Sequence, residues 1–201
     1  MAAGRKPDAA KRAAILFAAQ QLFAAHGFTA TSMDAVARAA GTTKLTAYRH
    51  FGSKDELFAA AIAARCAAML PVATSPEWPV DDARRALIDF GAAFLALILH
   101  PDAVGIHRLI IAERDRAPQL GPIFHGAAIV PTQMRLAGLI ERLGLNVGDP
   151  VLAATDLLAL WRSKPMLPIE MGMTNWSGAE LQVHIARSVD LCLNGWPVAN
   201  Y

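Results

Sequence analysis

The sequence predicts an all-α chain in two parts, a small three-helix domain followed by a larger helical bundle. Three observations lead there. Alanine and leucine dominate its 201 residues, of which 54% are apolar. Apolar side chains recur three and four apart, while alternating, strand-like runs are hard to find. Capping residues and glycines stand at the ends of the periodic stretches, where helices start and stop.

In order, residues 1–10 read as a polar, basic arm. Lys11 to His26 is an amphipathic helix with Ile15, Ala19, Leu22 and Phe23 on one face, and Gly27 stops it. Thr31 caps a second helix with Asp34 as its capping-box partner; Met33, Val36, Ala37 and Ala40 form its buried stripe. Gly41 makes the turn. A short third helix runs from about Thr43 to His50, with Ala47 and Phe51 packed inward. Ser53 and Glu56 form another capping box, opening a fourth helix toward Met69. Pro71, Pro76 and Pro79 then break the pattern. Five longer helices follow, at roughly 81–100, 102–115, 119–143, 149–164 and 178–195. Asp149-Pro150 is a helix start, and Pro131 should kink or split its helix. The Pro-, Gly- and Met-rich stretch from Lys164 to Gly178 reads as irregular. The domains are assigned to residues 1–58 and 59–201.

Composition narrows the function. Net charge is only +2, but residues 1–58 carry eight Lys/Arg against four Asp/Glu, and the remainder eleven against thirteen. An electropositive head on a slightly acidic body suits a polyanion at one end. Cys66 and Cys192 have no neighbour at metal-ligand spacing, which points to a reducing, cytoplasmic setting. The N-terminus shows no apolar core of a signal peptide. The longest apolar run, Phe90–Leu99, is half the ~20 residues of a membrane span, so no membrane association is expected. His100, His107, His125 and His184 lack i, i+4 pairing with a third ligand. Asp81-Asp82 reads as helix N-terminal charge, and Ser163, Ser177 and Ser188 lack a nucleophile's setting. No metal, cofactor or catalytic group is predicted.

The informative stretch is Gly27 to Leu57. Helix, glycine turn, short helix is the arrangement that presents its second helix to the major groove of DNA. Ala37 is small where two helices cross. Thr43, Lys44, Leu45, Thr46 and Tyr48 are left facing outward, toward base edges and phosphates. Gly27-Phe28, Thr31-Ser32, Val36-Ala37, Ala40-Gly41, Thr43-Lys44, Thr46, Tyr48-Arg49-His50-Phe51, Lys54 and Leu57 resemble the DNA-binding domain of TetR-family regulators. Two positions depart from that pattern. Leu45 replaces a small residue or proline, and Ala47 replaces leucine. The resemblance implies a homodimer on a palindromic operator, with a helical C-terminal domain that takes a small effector and relieves repression.

The candidate DNA-contacting residues are therefore Thr31, Thr43, Lys44, Leu45, Thr46, Tyr48, Arg49, His50 and Lys54. Lys44, Tyr48, His50 and Lys54 are phosphate candidates, and Thr31 would donate from a helix start. Thr43 and Thr46 either read bases or cap their helix. Leu45 has little but a thymine methyl to read. Arg5 and Lys6 are either a minor-groove arm or a solvated terminus.

An aromatic and Met-rich set supplies the effector candidates: Phe90, Phe94, Ile98, Ile110, Ile111, Phe124, Trp161, Met166, Met171 and Trp176. Pockets and cores share this composition, so core packing is the competing reading for each. Val151, Leu152, Leu158, Leu181, Ile185, Val189 and Cys192 form a stripe expected at a two-fold interface. The expectation is an apolar or amphipathic effector. The alternatives are a helix-turn-helix module without an effector, and a helical enzyme or lipid carrier that only imitates the motif.

Overall fold

The computed structural model describes residues 9–69, 82–173 and 176–195. Its regular elements are all helical: α1 Ala9–Ala30, α2 Met33–Ala39, α3 Lys44–Phe51, α4 Lys54–Met69, α5 Ala83–Ile98, α6 Pro101–Glu113, α7 Leu120–Phe124, a π-turn His125–Ile129, α8 Val130–Arg142, α9 Pro150–Ser163, α10 Met166–Glu170 and α11 Gly178–Gly195. Two compact units result, Met1–Arg65 with Gly105–Ala128, and Cys66–Val104 with Ile129–Tyr201. The first unit extends past residue 58, where the sequence divides the domains, and takes in residues 105–128 as well. Helix α4 continues through residue 58, so no turn signal marks it.

In the first unit, α1 buries Ile15, Leu16, Ala18, Ala19 and Phe23. Gly27 breaks its helical path at φ 80°. Glycine is required twice over there, because a Cβ would also stand 2.9 Å from Leu109 Cδ1. Phe23, Phe28 and Phe58 pack as a trio with ring centroids 5.0–5.9 Å apart. Helix α1 is long and apolar enough to cross a membrane by length and composition. Its buried stripe instead packs this core. Gly41 turns at φ 62° with open space around it, so conformation alone calls for glycine.

Capping corrects one expectation. The N-cap of α2 is Ser32, whose side chain accepts the N–H of Ala35. Thr31 lies one residue earlier, its hydroxyl donating to the carbonyls of Gly27 (2.7 Å) and Leu22 (3.2 Å). Asp34, displaced from the capping-box position, pairs with Lys44 instead. The Ser53 cap is found as expected, accepting the N–H of Glu56 at 3.1 Å.

In the second unit, α8 packs on α9, while α5 packs on α11 and α9. Asp149 caps α9, with Pro150 at the start of that helix. Pro131 does not split its helical run. It sits in the first turn of α8, and the run widens into the π-turn just before it, which tolerates a missing N–H. The stretch expected to be irregular contains the short helix α10. Ser177 and Glu180 form a reciprocal capping box before α11, an S-x-x-E signal legible in the sequence but unused. Hydrogen bonds from Ser177 also hold the Glu180 carboxyl below its usual pKa. Gly91 lets α5 come close to α9 and α11, since a Cβ there would lie 2.8 Å from both Trp161 and Ile185.

Candidate nucleic-acid interface

Helix α3 shows one face to the core and one to solvent. Ala47 and Phe51 are buried. Thr43, Lys44, Leu45, Tyr48 and Arg49 are exposed, and Thr46 and His50 are half-buried. Thr43 caps the helix, its oxygen accepting the Thr46 N–H at 3.2 Å and lying 2.9 Å from the Thr46 hydroxyl. Both readings of these threonines are thus compatible, since the capped hydroxyls remain at the outer face. Lys44 Nζ stands 3.3 Å from Asp34, linking α2 to α3 through an exposed pair. Such a pair is weak enough for a phosphate to compete. Leu45 is 70% exposed, an apolar branch with nothing of its own to pack on. The His50 ring tilts against Phe51 at 6.2 Å. Its Nδ1 is buried and makes no hydrogen bond among the described residues.

Two candidates do not present themselves as expected. Thr31 is 3% exposed, and its hydroxyl is engaged by the two carbonyls of α1. The side chain fastens the α1–α2 corner rather than facing DNA. Lys54 bends inward. Its Nζ donates to the Phe28 carbonyl at 3.1 Å and sits 4.1 Å from the Phe28 ring centroid. The ammonium closes the turn after Gly27, so a phosphate would have to displace it. The proposed arm, Arg5 and Lys6, lies outside the described residues.

One cation was missed. Arg12 lies over the Phe51 ring at 5.1 Å, beside the end of α3. Nothing local in the sequence marks it, because the ring it lies over belongs to another helix.

This is the architecture of a major-groove reader, and sequence comparison agrees. A profile described as bacterial regulatory proteins, tetR family, matches residues 15–61. A second, the C-terminal domain of AefR-like transcriptional repressors, matches residues 85–196, more than half of the chain. The chain belongs to the TetR family. TetR-family regulators are non-enzymatic DNA-binding transcription factors, and so is this one. Among solved structures, the flavonoid-responsive regulator FrrA is 34% identical, with a TM-score of 0.72 over 92% of this chain and 95% of FrrA. A TetR regulator from Agrobacterium tumefaciens superposes with a TM-score of 0.77 over 96% of each chain, at 22% identity, and shows the fold alone. The transcriptional activator FasR of Mycolicibacterium smegmatis is 40% identical over 58 residues, 29% of this chain and 26% of FasR. The chain covers only 19% and 26% of the lengths of the first curated relatives it matches.

The effector candidates of this TetR-family chain divide between the units. Phe90, Phe94, Trp161 and Met166 are buried in the second unit. Phe90 stacks on Trp161 at 6.1 Å, and Phe94 is tilted against it at the same distance. The Trp161 indole nitrogen is buried and makes no hydrogen bond among the described residues. Trp176 faces His184 at 6.2 Å, and His184 Nε2 lies 2.9 Å from the Trp161 carbonyl. Ile98 and Trp176 are half-buried. Ile110 and Phe124 are half-buried in the first unit, where Phe124 meets His107 at 6.1 Å. Ile111 and Met171 are exposed, Ile111 on α6 and Met171 in the turn after α10. The expected interface stripe needs a similar correction. Leu158, Ile185, Val189 and Cys192 fill their own chain's core, where burial pushes the Cys192 thiol up to about 11. The outward apolar residues are Val151 and Leu152 of α9 with Val183 and Leu191 of α11.

Proposed function

We propose that this TetR-family protein is a cytoplasmic repressor that binds a palindromic operator as a homodimer and is released by an apolar or amphipathic small molecule. The observation that carries the reading is the match of residues 85–196 to the C-terminal domain of AefR-like repressors. The buried aromatic group Phe90, Phe94 and Trp161, whose indole N–H makes no hydrogen bond among the described residues, is where this reading places an aromatic effector that carries an acceptor. The responsiveness of FrrA to flavonoids points the same way. Exposed Val183 and Leu191, which line a groove of about 650 Å³ along α11, and exposed Leu152 of α9 suit a second copy of the chain.

Two features suggest how occupancy could reach the head. Helix α4 runs on past the first unit's last residue of that segment, Arg65. Helix α6 sets Leu109 against Gly27 and bonds Glu113 to Thr29 beside the corner that fixes α2. An effector shifts operator affinity only by favouring one state of these helices, and a coupling of about 1–3 kcal/mol would change affinity roughly 5–150-fold. The test titrates a panel of flavones and other aromatic compounds, following tryptophan fluorescence and operator affinity together. Compounds that quench fluorescence and weaken operator binding are expected. Quenching with unaltered operator affinity would refute the release mechanism, and tighter operator binding would make the protein a co-repressor-dependent regulator or an activator.

A further inference from the structure

We propose that Arg12 is a DNA-phosphate contact held in place by Phe51. The cations beside α3 are not equivalent. Lys44 is paired with Asp34 and Lys54 rests on the ring and carbonyl of Phe28, so a phosphate has to compete for either. Arg12 is exposed, rests on the Phe51 ring at 5.1 Å, and enters no ion pair among the described residues. A guanidinium stacked on an aromatic face keeps its outer N–H groups aimed at solvent and loses little freedom on meeting an anion. Phe51 is the last residue of α3, so the stacking places this fixed cation at the end of the helix that enters the groove. Exposed Lys11 and Arg49 are nearby in sequence to each partner, and the acids of the following turn are the half-buried Asp55 and the exposed Glu56. The phosphate backbone of duplex DNA is the anion this arrangement fits, because a forked donor without a base-edge partner positions a protein without reading sequence.

The experiment measures binding of the full chain to a duplex enriched from a random pool by the wild-type protein and to an unrelated duplex of equal length, across a salt series. Arg12→Gln should weaken both duplexes by a similar, several-fold factor. It should also flatten the plot of log affinity against log salt by about 0.9 for each phosphate no longer neutralised. Arg12→Lys, which keeps a cation over the ring, should restore the slope. Melting curves of each variant separate folding from binding. An unchanged slope for Arg12→Gln would overturn the proposal whether or not affinity falls, because a packing role alters no counterion release. Weakening confined to the enriched duplex would overturn it as well, by making Arg12 a reader of bases. Wild-type binding in the same titration establishes the DNA-binding reading independently.

Discussion

The head and the α5–α9–α11 core are built from similar residues, yet their side chains are legible to very different degrees. In the head, a residue's place follows from its offset to a cap or a glycine. Ala47 and Phe51 are buried and Leu45 is exposed because α3 begins at the Thr43 cap and ends at Gly52. In the second unit, apolar residues occur on several sides of each helix. Leu158 and Leu152 share α9, yet one is buried and the other faces out. Local signals place a side chain only where the helix has a single apolar face; where helices are packed from several directions, the neighbours decide.

The largest expected effect tests the second unit. Trp161→Ala removes a fully buried ring between Phe90 and Phe94 and should cost about 3–5 kcal/mol in chemical denaturation. A change as small as that of a surface substitution would mean that the ring is packed less tightly than its burial indicates. Gly91→Ala comes next. Its methyl would stand 2.8 Å from the Trp161 ring and Ile185, neither of them free to move far, so a destabilisation of about 1–3 kcal/mol is expected. A neutral result would show that the α5–α9 approach is slacker than the geometry indicates.

Two head variants sharpen the contrast between fastening and gripping. Thr31→Val keeps shape but removes the donor to Gly27 and Leu22; stability should fall by about 1 kcal/mol, with DNA affinity of the folded protein unchanged. Lys54→Met removes the ammonium from the Phe28 ring and should cost about 0.5–1 kcal/mol, while the salt dependence of DNA binding should stay at the wild-type slope. A flattened slope would restore Lys54 to the phosphate-binding set that its sequence position suggested. The smallest thermodynamic effect belongs to Leu45→Ala, within about 0.5 kcal/mol at an exposed site. Its consequence should appear in site selection, as relaxed preference at one thymine position of each half-site. An unchanged selected motif would leave Leu45 without a reading role.

The sequence by itself determined the all-α class, the three-helix head, the turn at Gly41, the outward face of α3 and the family. Each of these rests on interactions within a few residues, or on spacing that any chain with this pattern must share. It also placed the starts of α4 and α9, because Ser53 and Asp149 bond to N–H groups only two or three positions ahead. Only the tertiary structure decided which polar and charged groups are already occupied. Thr31 turns inward because the carbonyls of Leu22 and Gly27 come within reach when α1 breaks. Lys54 turns inward because Phe28, twenty-six residues earlier, offers both a ring and a carbonyl. Arg12 gains its place from Phe51, on a different helix. The same holds for α9 and α11, whose buried and outward leucines and valines are sorted by packing across long stretches of chain. A side chain's partner at that separation is fixed by how helices meet, and periodicity along one helix carries no record of it.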